Sequence, residues 1–572
     1  MDQKQEFQKF AELIENNLCV KRIMKDIEIF NQWERYTGTE AGEKSAEFIA
    51  ERMDQLNITV DREKYQIYRS LPGKAFAKVE SLETTKEIPL TPYVYSGSAK
   101  ELKAEVVFDE ASLSGCSQKA MKQRMEKFSG KIILTYESSF AFACAAKAAG
   151  AVGILTIWQT NLAHHGTLGG VWGSPEPEDL RYHYPRIPFA EILKNDGEAL
   201  KAMCEAGNKV EISLTVEMDD GVHTSMMPIA KIPGKSEKFV LVSGHYDSWY
   251  EGITDNGVAN AAMMEMARVF KENQQDLERG VVFAWWSGHS DGRYSGSTWY
   301  YDNHWDELNK NCVAHINMDI CGCKGSDLVG FNTSLLEGET FAKEFLTQFN
   351  EEEPIAPIPM ARFADQTFWG ASVPFAIMPK FSKRNVQKLP FFWWHTKEDT
   401  IDKIDEAIVL RDAKVVAKLA AIFTNIERLP AQMADFVDVM EKRLCVIKDA
   451  LHEDFDLTKA FDSVSCLKKK ISEYEKALED RKDTDDAIIS IAGEMVRITY
   501  TASSQYHQDL AVEGPMFPAL SEAMGLTPDN TEADYYLAVQ TRFVRQRNRL
   551  CGQIERIIKD CDNQMYRWAI EK

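Results

Sequence analysis

The 572 residues contain no run approaching the ~18 to 20 consecutive apolar positions that a membrane-spanning helix needs, so no membrane partner is expected. Positive charge is also scarce. Lys and Arg number 67 against 88 Asp and Glu, and the formal net charge of −21 argues against nucleic acid or an anionic bilayer as a partner. Cysteine is too irregular to form a framework. Eleven are scattered along the chain, and Cys321-Gly322-Cys323 is too tight for a zinc knuckle or a thioredoxin-type pair. Reduced thiols in a cytoplasmic protein are the expectation. The opening Met1-Asp2-Gln3-Lys4-Gln5-Glu6 lacks the apolar run of a secretion signal, which points the same way. Core-forming material, by contrast, is plentiful. With 44% hydrophobic and 10% aromatic residues the chain is not a largely disordered protein, and its length calls for roughly two to four domains.

Four segments are expected: 1–75, 76–225, 226–430 and 431–572. In the first, Ala46, Ile49, Ala50 and Met53 recur at helical spacing after the start signal Thr37-Gly38-Thr39-Glu40, and Ile58-Thr59-Val60 opens a strand. The second has the texture of short strands and loops. A buried strand at 130–134, an Ala-rich helix at 141–149 and a strand at 152–156 form a strand–helix–strand unit, followed by a long Gly- and Pro-rich loop over 166–188. The third is plainly α/β, with apolar strands at 239–242, 281–286, 313–318 and 375–378 around a helix at 259–270. Such alternation predicts a mainly parallel mixed sheet with helices on both faces. In the fourth the strands stop. Phe436, Met440, Leu444, Ile447 and Leu451 form one helical stripe and Val464, Leu467, Ile471, Tyr474 and Leu478 another, predicting a helical domain that packs on its neighbour or on a second subunit.

The residues able to do chemistry sit at the ends of the third segment's strands, where ligands bind in open α/β sheets. Ser243-Gly244-His245-Tyr246-Asp247-Ser248 follows a strand directly, and Thr254-Asp255-Asn256-Gly257 opens the next helix. Imidazole and carboxylate are zinc ligands, and Asp247 is placed to orient His245 or to steer an attacking water. Ile316-Asn317-Met318-Asp319 delivers another carboxylate, and Phe391-Phe392-Trp393-Trp394-His395-Thr396 another imidazole, followed by Asp399-Thr400. A lone Asp or His at such a place is more often a cap or a satisfied core residue. Four at separate strand ends weaken that reading.

This order of motifs, over roughly 238–405, resembles the zinc aminopeptidases of bacteria and glutamate carboxypeptidase, with the transferrin receptor as a catalytically silent relative. The resemblance reaches back to 35–60, which is similar to the opening helix and strand of that fold. It makes 76–225 a protease-associated insert and the helical tail a dimerisation domain, hence a homodimer. It also implies one or two divalent metal ions, zinc first and manganese, iron or cobalt after it. His245 and Asp319 would hold one ion, His395 the other, with Asp255 bridging and Asp247 behind them.

One motif departs. The family's catalytic Glu-Glu pair should follow Trp286, but the sequence there is Ser287-Gly288-His289-Ser290-Asp291-Gly292-Arg293-Tyr294. The pair falls on His289 and Ser290 or on Ser290 and Asp291, and neither register offers a glutamate. Either His289 or Asp291 supplies the missing ligand while the other acts on the proton, or the second ion site is weakened and one ion dominates. Imidazole can serve as a base near neutral pH. Arg293 and Tyr294 are candidates for binding an anionic or polar substrate group. Asp365 lies in Arg362-Phe363-Ala364-Asp365-Gln366-Thr367, which resembles the family's substrate-side loop. His164, His165 and His183 are lid candidates. The expectation is a metal-dependent hydrolase of an amide or peptide-like bond in a small substrate. A non-peptidase metalloenzyme, such as another amidohydrolase or a metal-assisted lyase, and a catalytically silent binding protein are the alternatives.

Overall fold

A computed structural model describes residues 3–79, 86–110, 118–384, 391–510 and 516–571. The apolar runs form the centre of its sheet. Phe239–His245, Gly280–Trp286 and Cys312–Asn317 are buried at every position, which is why they read as unbroken hydrophobic runs rather than as alternation. Phe239–His245 pairs in parallel with both of its neighbours, and Cys312–Asn317 pairs in parallel with Phe375–Ser382. Leu328–Thr333 then adds antiparallel at one side and Val210–Ile232 at the other. The sheet is therefore mixed α/β with a parallel centre. Helices Val20–Phe30, Glu40–Gln55, Val258–Glu272 and Glu406–Asn425 cover one face. Trp286, Tyr300, Tyr301 and Leu308 form a second core on the other. The start signal at Thr39 acts as one: its hydroxyl accepts from the Gly42 N–H at 3.2 Å.

The strand opening near Ile58 is far longer than the sequence implies. Thr59–Val79 runs antiparallel to Val210–Ile232 and carries the sheet into a second half built on separate cores. The positions 75 and 225 both lie inside these two strands, so a hydrogen-bonded ladder joins the halves. In the second half Ile132–Thr135, helix Phe140–Ala148 and Gly153–Ile157 form the expected strand–helix–strand unit. The 166–188 loop holds a short helix, Pro177–Tyr182, whose first turn is closed by the Glu176 N–H donating to Asp179 at 2.8 Å.

Beyond 430 the described elements are helices, among them Met433–Asp449, Thr458–Glu479, Asp485–Tyr500 and Ala533–Glu571. Both apolar stripes turn inward, and their side chains merge with the main core instead of forming a free-standing bundle. Arg279, at the start of a central strand, clamps Asp485 through two hydrogen bonds of 2.5 and 2.7 Å and pins the helical part to the sheet. Among the described residues no helix is long and apolar enough to cross a membrane.

Candidate metal centre and active site

Three neighbouring strands deliver their side chains to one edge. His245 closes Phe239–His245, Asp319 lies two residues past Cys312–Asn317, and His289 lies three past Gly280–Trp286. Glycine precedes His245 because a Cβ at Gly244 would stand 2.8 Å from the Met318 carbonyl oxygen. Asp255 sits in the turn Ile253–Gly257 ahead of its helix. His395 departs from the expectation of a strand end. It occupies a turn, with φ 57, and non-glycine residues around it share that left-handed backbone: Arg293, Tyr294, Ile320, Ala364 and Asp365. Such clustering is characteristic of sites where tertiary contacts over-determine the backbone.

Asp255 stands between the two histidines. Its Oδ1 lies 2.9 Å from His245 Nε2 and its Oδ2 lies 3.1 Å from His395 Nε2. Both rings are anchored from behind. His245 Nδ1 donates to the Asp247 carbonyl at 2.8 Å, and His395 Nδ1 donates to the His165 carbonyl at 2.8 Å, so each turns Nε2 inward. Asp319 Oδ1 is buried, 3.4 Å from His245 Nε2, and makes no hydrogen bond. His245, His289 and Asp319 each place one ligand atom within 4.8 Å of the others. Burial alone would lower the His245 pKa, but the Asp255 hydrogen bond and the charges of Asp319 and Asp255 raise it well above the ordinary range. Burial likewise raises Asp255, yet His245 and His395 hold it well below the usual carboxylate range. An orphaned carboxylate oxygen, oriented imidazoles and surplus buried negative charge fit a divalent cation.

His289 stacks on His245 with ring centroids 3.8 Å apart and planes 10° from parallel. Its Nδ1 is 2.6 Å from Asp365 Oδ2, and Asp365 Oδ1 accepts from the Ser297 hydroxyl at 2.7 Å. Burial pushes the Asp365 carboxyl up, but the charge and hydrogen bond of His289 outweigh it and leave the pKa lowered. Asp247 accepts from the backbone N–H groups of His289 at 3.2 Å and Ser290 at 2.9 Å, fixing the turn that carries His289. Asp291 faces away from the cavity. Its carboxylate accepts from the Thr37 N–H at 3.2 Å, and burial together with the Asp247 charge raises its pKa to about 7.

The cavity outside these residues measures about 520 Å³. Arg293 and Tyr294 line it, as do His164 and His165 from the second half of the sheet. His183 does not line it and pairs with Asp179 at 2.6 Å. His165 is bound to His395 twice, since its own N–H donates to the His395 carbonyl at 3.1 Å. Glu191 accepts from the His164 N–H at 3.0 Å and lies 3.1 Å from its Nδ1. Burial raises this carboxyl to about 9 and drives the His164 pKa well down, which favours a neutral pair. His164 Nε2 is buried and has no hydrogen-bond partner.

Several contributors have no local motif to mark them. Arg35 is fully buried and donates to the carbonyls of Tyr246 at 2.8 Å, Glu251 at 2.7 Å and Gly252 at 3.0 Å, clamping the loop between His245 and Asp255. Burial lowers its pKa to about 10 against the opposing charges of Asp399, Asp247 and Asp255. Asp399 accepts from the N–H groups of Thr254 at 2.9 Å and Asp255 at 3.1 Å. Its place after His395-Thr396 was visible in the sequence, but not its role. Arg362 and Trp172 came from the loops at 362–367 and 166–188 without any assigned contact.

Residues 228–420 match the family model described as Peptidase family M28. Aminopeptidase YwaD of Bacillus subtilis (strain 168) is 25% identical over 413 residues, 69% of this chain and 82% of that protein. Carboxypeptidase Q of Xenopus laevis is 25% identical over 44% of this chain, and the match spans about half of that protein, 52%. Two solved structures share the fold. A zinc aminopeptidase from Bacillus subtilis superposes with a TM-score of 0.54 at 21% identity, covering 74% of this chain and 97% of that one. A peptidase M28 precursor from Shewanella amazonensis SB2B gives 0.59 at 20% identity, with 74% and 98% covered. The likeness to bacterial aminopeptidases and carboxypeptidases drawn from the motifs is borne out.

Proposed function

We propose that this chain is a metal-dependent hydrolase of peptide-like amide bonds in small substrates, working in the cavity beside His245. Asp255 carries the reading, because its two oxygens reach His245 and His395 separately while Asp319 and His289 converge on His245. Zinc suits this donor set, with manganese, iron and cobalt next. We assign one firmly held ion to His245, His289 and Asp319, with Asp255 completing the set. Among the described residues the far side offers only Asp255 and His395, which makes a second ion weak. A cation bound there supplies a Lewis acid that polarises a scissile carbonyl and lowers the pKa of a water. The protein's own part is orientation. The Asp247 carbonyl, Asp365 and the His165 carbonyl each fix one ring, so the donors need no reorganisation on binding. His164, His165 and Trp249 wall the cavity and limit its water.

The segment 76–225 acts, in this reading, as a protease-associated insert, because its loop holds His395. The outer face of helix Ala533–Glu571 exposes Leu537, Val544, Tyr566 and Ile570, which supports a homodimer formed through the tail. A cytoplasmic location is kept with the scattered free cysteines.

Elemental analysis of protein purified without chelator, followed by a screen of aminoacyl and N-acyl substrates, tests the function. About one equivalent of metal and hydrolysis of at least one class are expected. Less than about a tenth of an equivalent, not restored by any of the four metals, returns the chain to a silent binding protein. Metal without amide hydrolysis moves it to a different metalloenzyme chemistry.

A further inference from the structure

We propose that the cavity takes its substrate by a free carboxylate, received between Arg293 and Arg362. The proposal rests on the hydrolase reading for the reaction but not for the binding.

Arg362 is 6% exposed, and its Nη2 donates to Gln508 Oε1. Its Nε has no hydrogen-bond partner, and although the Asp509 charge acts on it, among the described residues no carboxylate lies in ion-pair contact with it. Guanidinium groups buried this deeply are ordinarily paired, since an isolated buried charge is costly and arginine does not give up its proton. Arg362 also lines the cavity, so an anion entering there meets a cation already stripped of water.

An aromatic stack surrounds it. The Arg362 guanidinium lies 4.5 Å over the Trp172 ring, Trp172 stacks on Tyr294 at 4.0 Å, and the Arg293 guanidinium lies 5.0 Å over Tyr294. Two cations thus bracket one aromatic pair. Trp172 Nε1 donates to the Thr367 hydroxyl at 3.0 Å, and that hydroxyl is 2.9 Å from Ser297, which donates to Asp365. The Tyr294 ring meets the edge of His289 at 4.8 Å. The clamp is therefore joined to the same residues that hold His289.

Charge in the cavity points the same way. In a chain of net charge −21, Lys380 and Lys383 stand on the cavity lining with the two arginines. Among the described lining residues the only acidic ones are Asp255 and Asp319, both committed to the donor set. A substrate ammonium finds no carboxylate of its own, whereas a substrate carboxylate finds a cation in need of one. The anion has two possible sources: the α-carboxylate of a C-terminal residue, or an acidic side chain.

The test is calorimetric titration of the intact protein, metal-loaded and metal-stripped, with N-acetylalanine, N-acetylalaninamide and N-acetylaspartic acid α-amide. At least one acid is expected to bind about tenfold or more tighter than N-acetylalaninamide, and the acid that does so names the source. Arg362→Met and Arg293→Met should each bring that ratio toward one, while Arg362→Lys keeps part of it. Arg293→Met keeps the test open should Arg362→Met fail to fold. Equal binding of both acids and N-acetylalaninamide overturns the proposal, as does a preference that survives both methionine variants. Carboxylate binding without hydrolysis of any amide would leave this proposal standing and remove the hydrolase reading. Hydrolysis without carboxylate preference would do the reverse.

Discussion

Replacing Asp365 with Asn probes how His289 is held. Asp365 serves two donors at once, His289 Nδ1 at 2.6 Å and the Ser297 hydroxyl at 2.7 Å. The amide has one acceptor oxygen and can serve only one of them. If that oxygen stays with Ser297, the amide N–H groups face Nδ1, and the ring must place its proton on the other nitrogen, toward His245 and Asp319. If it turns to His289, the buried Ser297 hydroxyl loses its shortest hydrogen bond and is left with the Tyr294 carbonyl and the Thr367 hydroxyl, and the imidazole loses a charged neighbour. Removing such a partner of a metal-binding histidine typically weakens metal affinity about 10- to 100-fold, or ~1.4 to 2.7 kcal/mol. His289→Ala deletes one of three donors lying within 4.8 Å of one another and should cost more. Competition against a chelator of known affinity measures both, with the metal-free unfolding midpoint as a check on folding. Retained metal with a rate lowered by roughly 10² to 10⁴ would make His289 a base rather than a ligand. His289→Glu should then keep part of the activity. Unchanged affinity and turnover in His289→Ala would refute the reasoning and reduce the residue to packing.

Arg35→Met should cost about 3–5 kcal/mol in denaturant unfolding of the metal-free protein, because it leaves the carbonyls of Tyr246, Glu251 and Gly252 without donors. A loss under about 1 kcal/mol would show that the loop finds other partners. Glu191→Gln tests a neutral pair. The folded carboxyl titrates at about 9 against an ordinary 4.5, so the unfolded chain releases a proton that the folded chain keeps. Its contribution to stability is fully present below pH 4.5 and is lost as pH rises through 9, with a slope of at most ~1.4 kcal/mol per pH unit. Glutamine reproduces both bonds to His164 without that dependence, so the variant should match the wild type near pH 4 and exceed it near pH 8 in denaturant midpoints. An equal deficit at all pH values would contradict the neutral assignment. Gly493→Ala places a Cβ against the Ser372 carbonyl and should lower stability by ~1–3 kcal/mol, measured by thermal unfolding. No change would mean the helix Asp485–Tyr500 is not seated closely against Ser372.

Much of the fold was legible because it is written in local pattern. Continuous apolar runs at 239–242 and 281–286 mark strands covered on both faces, and the stripe from Phe436 to Ile447 marks a helix with one buried side. The long strands Thr59–Val79 and Val210–Ile232 were missed, because each changes surroundings midway and its exposed stretches read as loop. His245, Asp255 and Asp319 were found together because neighbouring parallel strands end at one edge.

By itself the sequence picked out the candidate donors, imidazoles and carboxylates at His245, Asp255, Asp319 and His395, and a histidine where a glutamate was expected. Tertiary structure alone decided what each side chain faces. Asp291 and His289 are two residues apart, yet one turns to Thr37 and the other stacks on His245. No periodicity encodes that choice, because the turn between them is set by Asp247 gripping two backbone N–H groups from another strand. The pairing of His395 with His165, 230 positions away, and of Arg362 with Trp172 depends likewise on loops whose conformation only long-range contacts define.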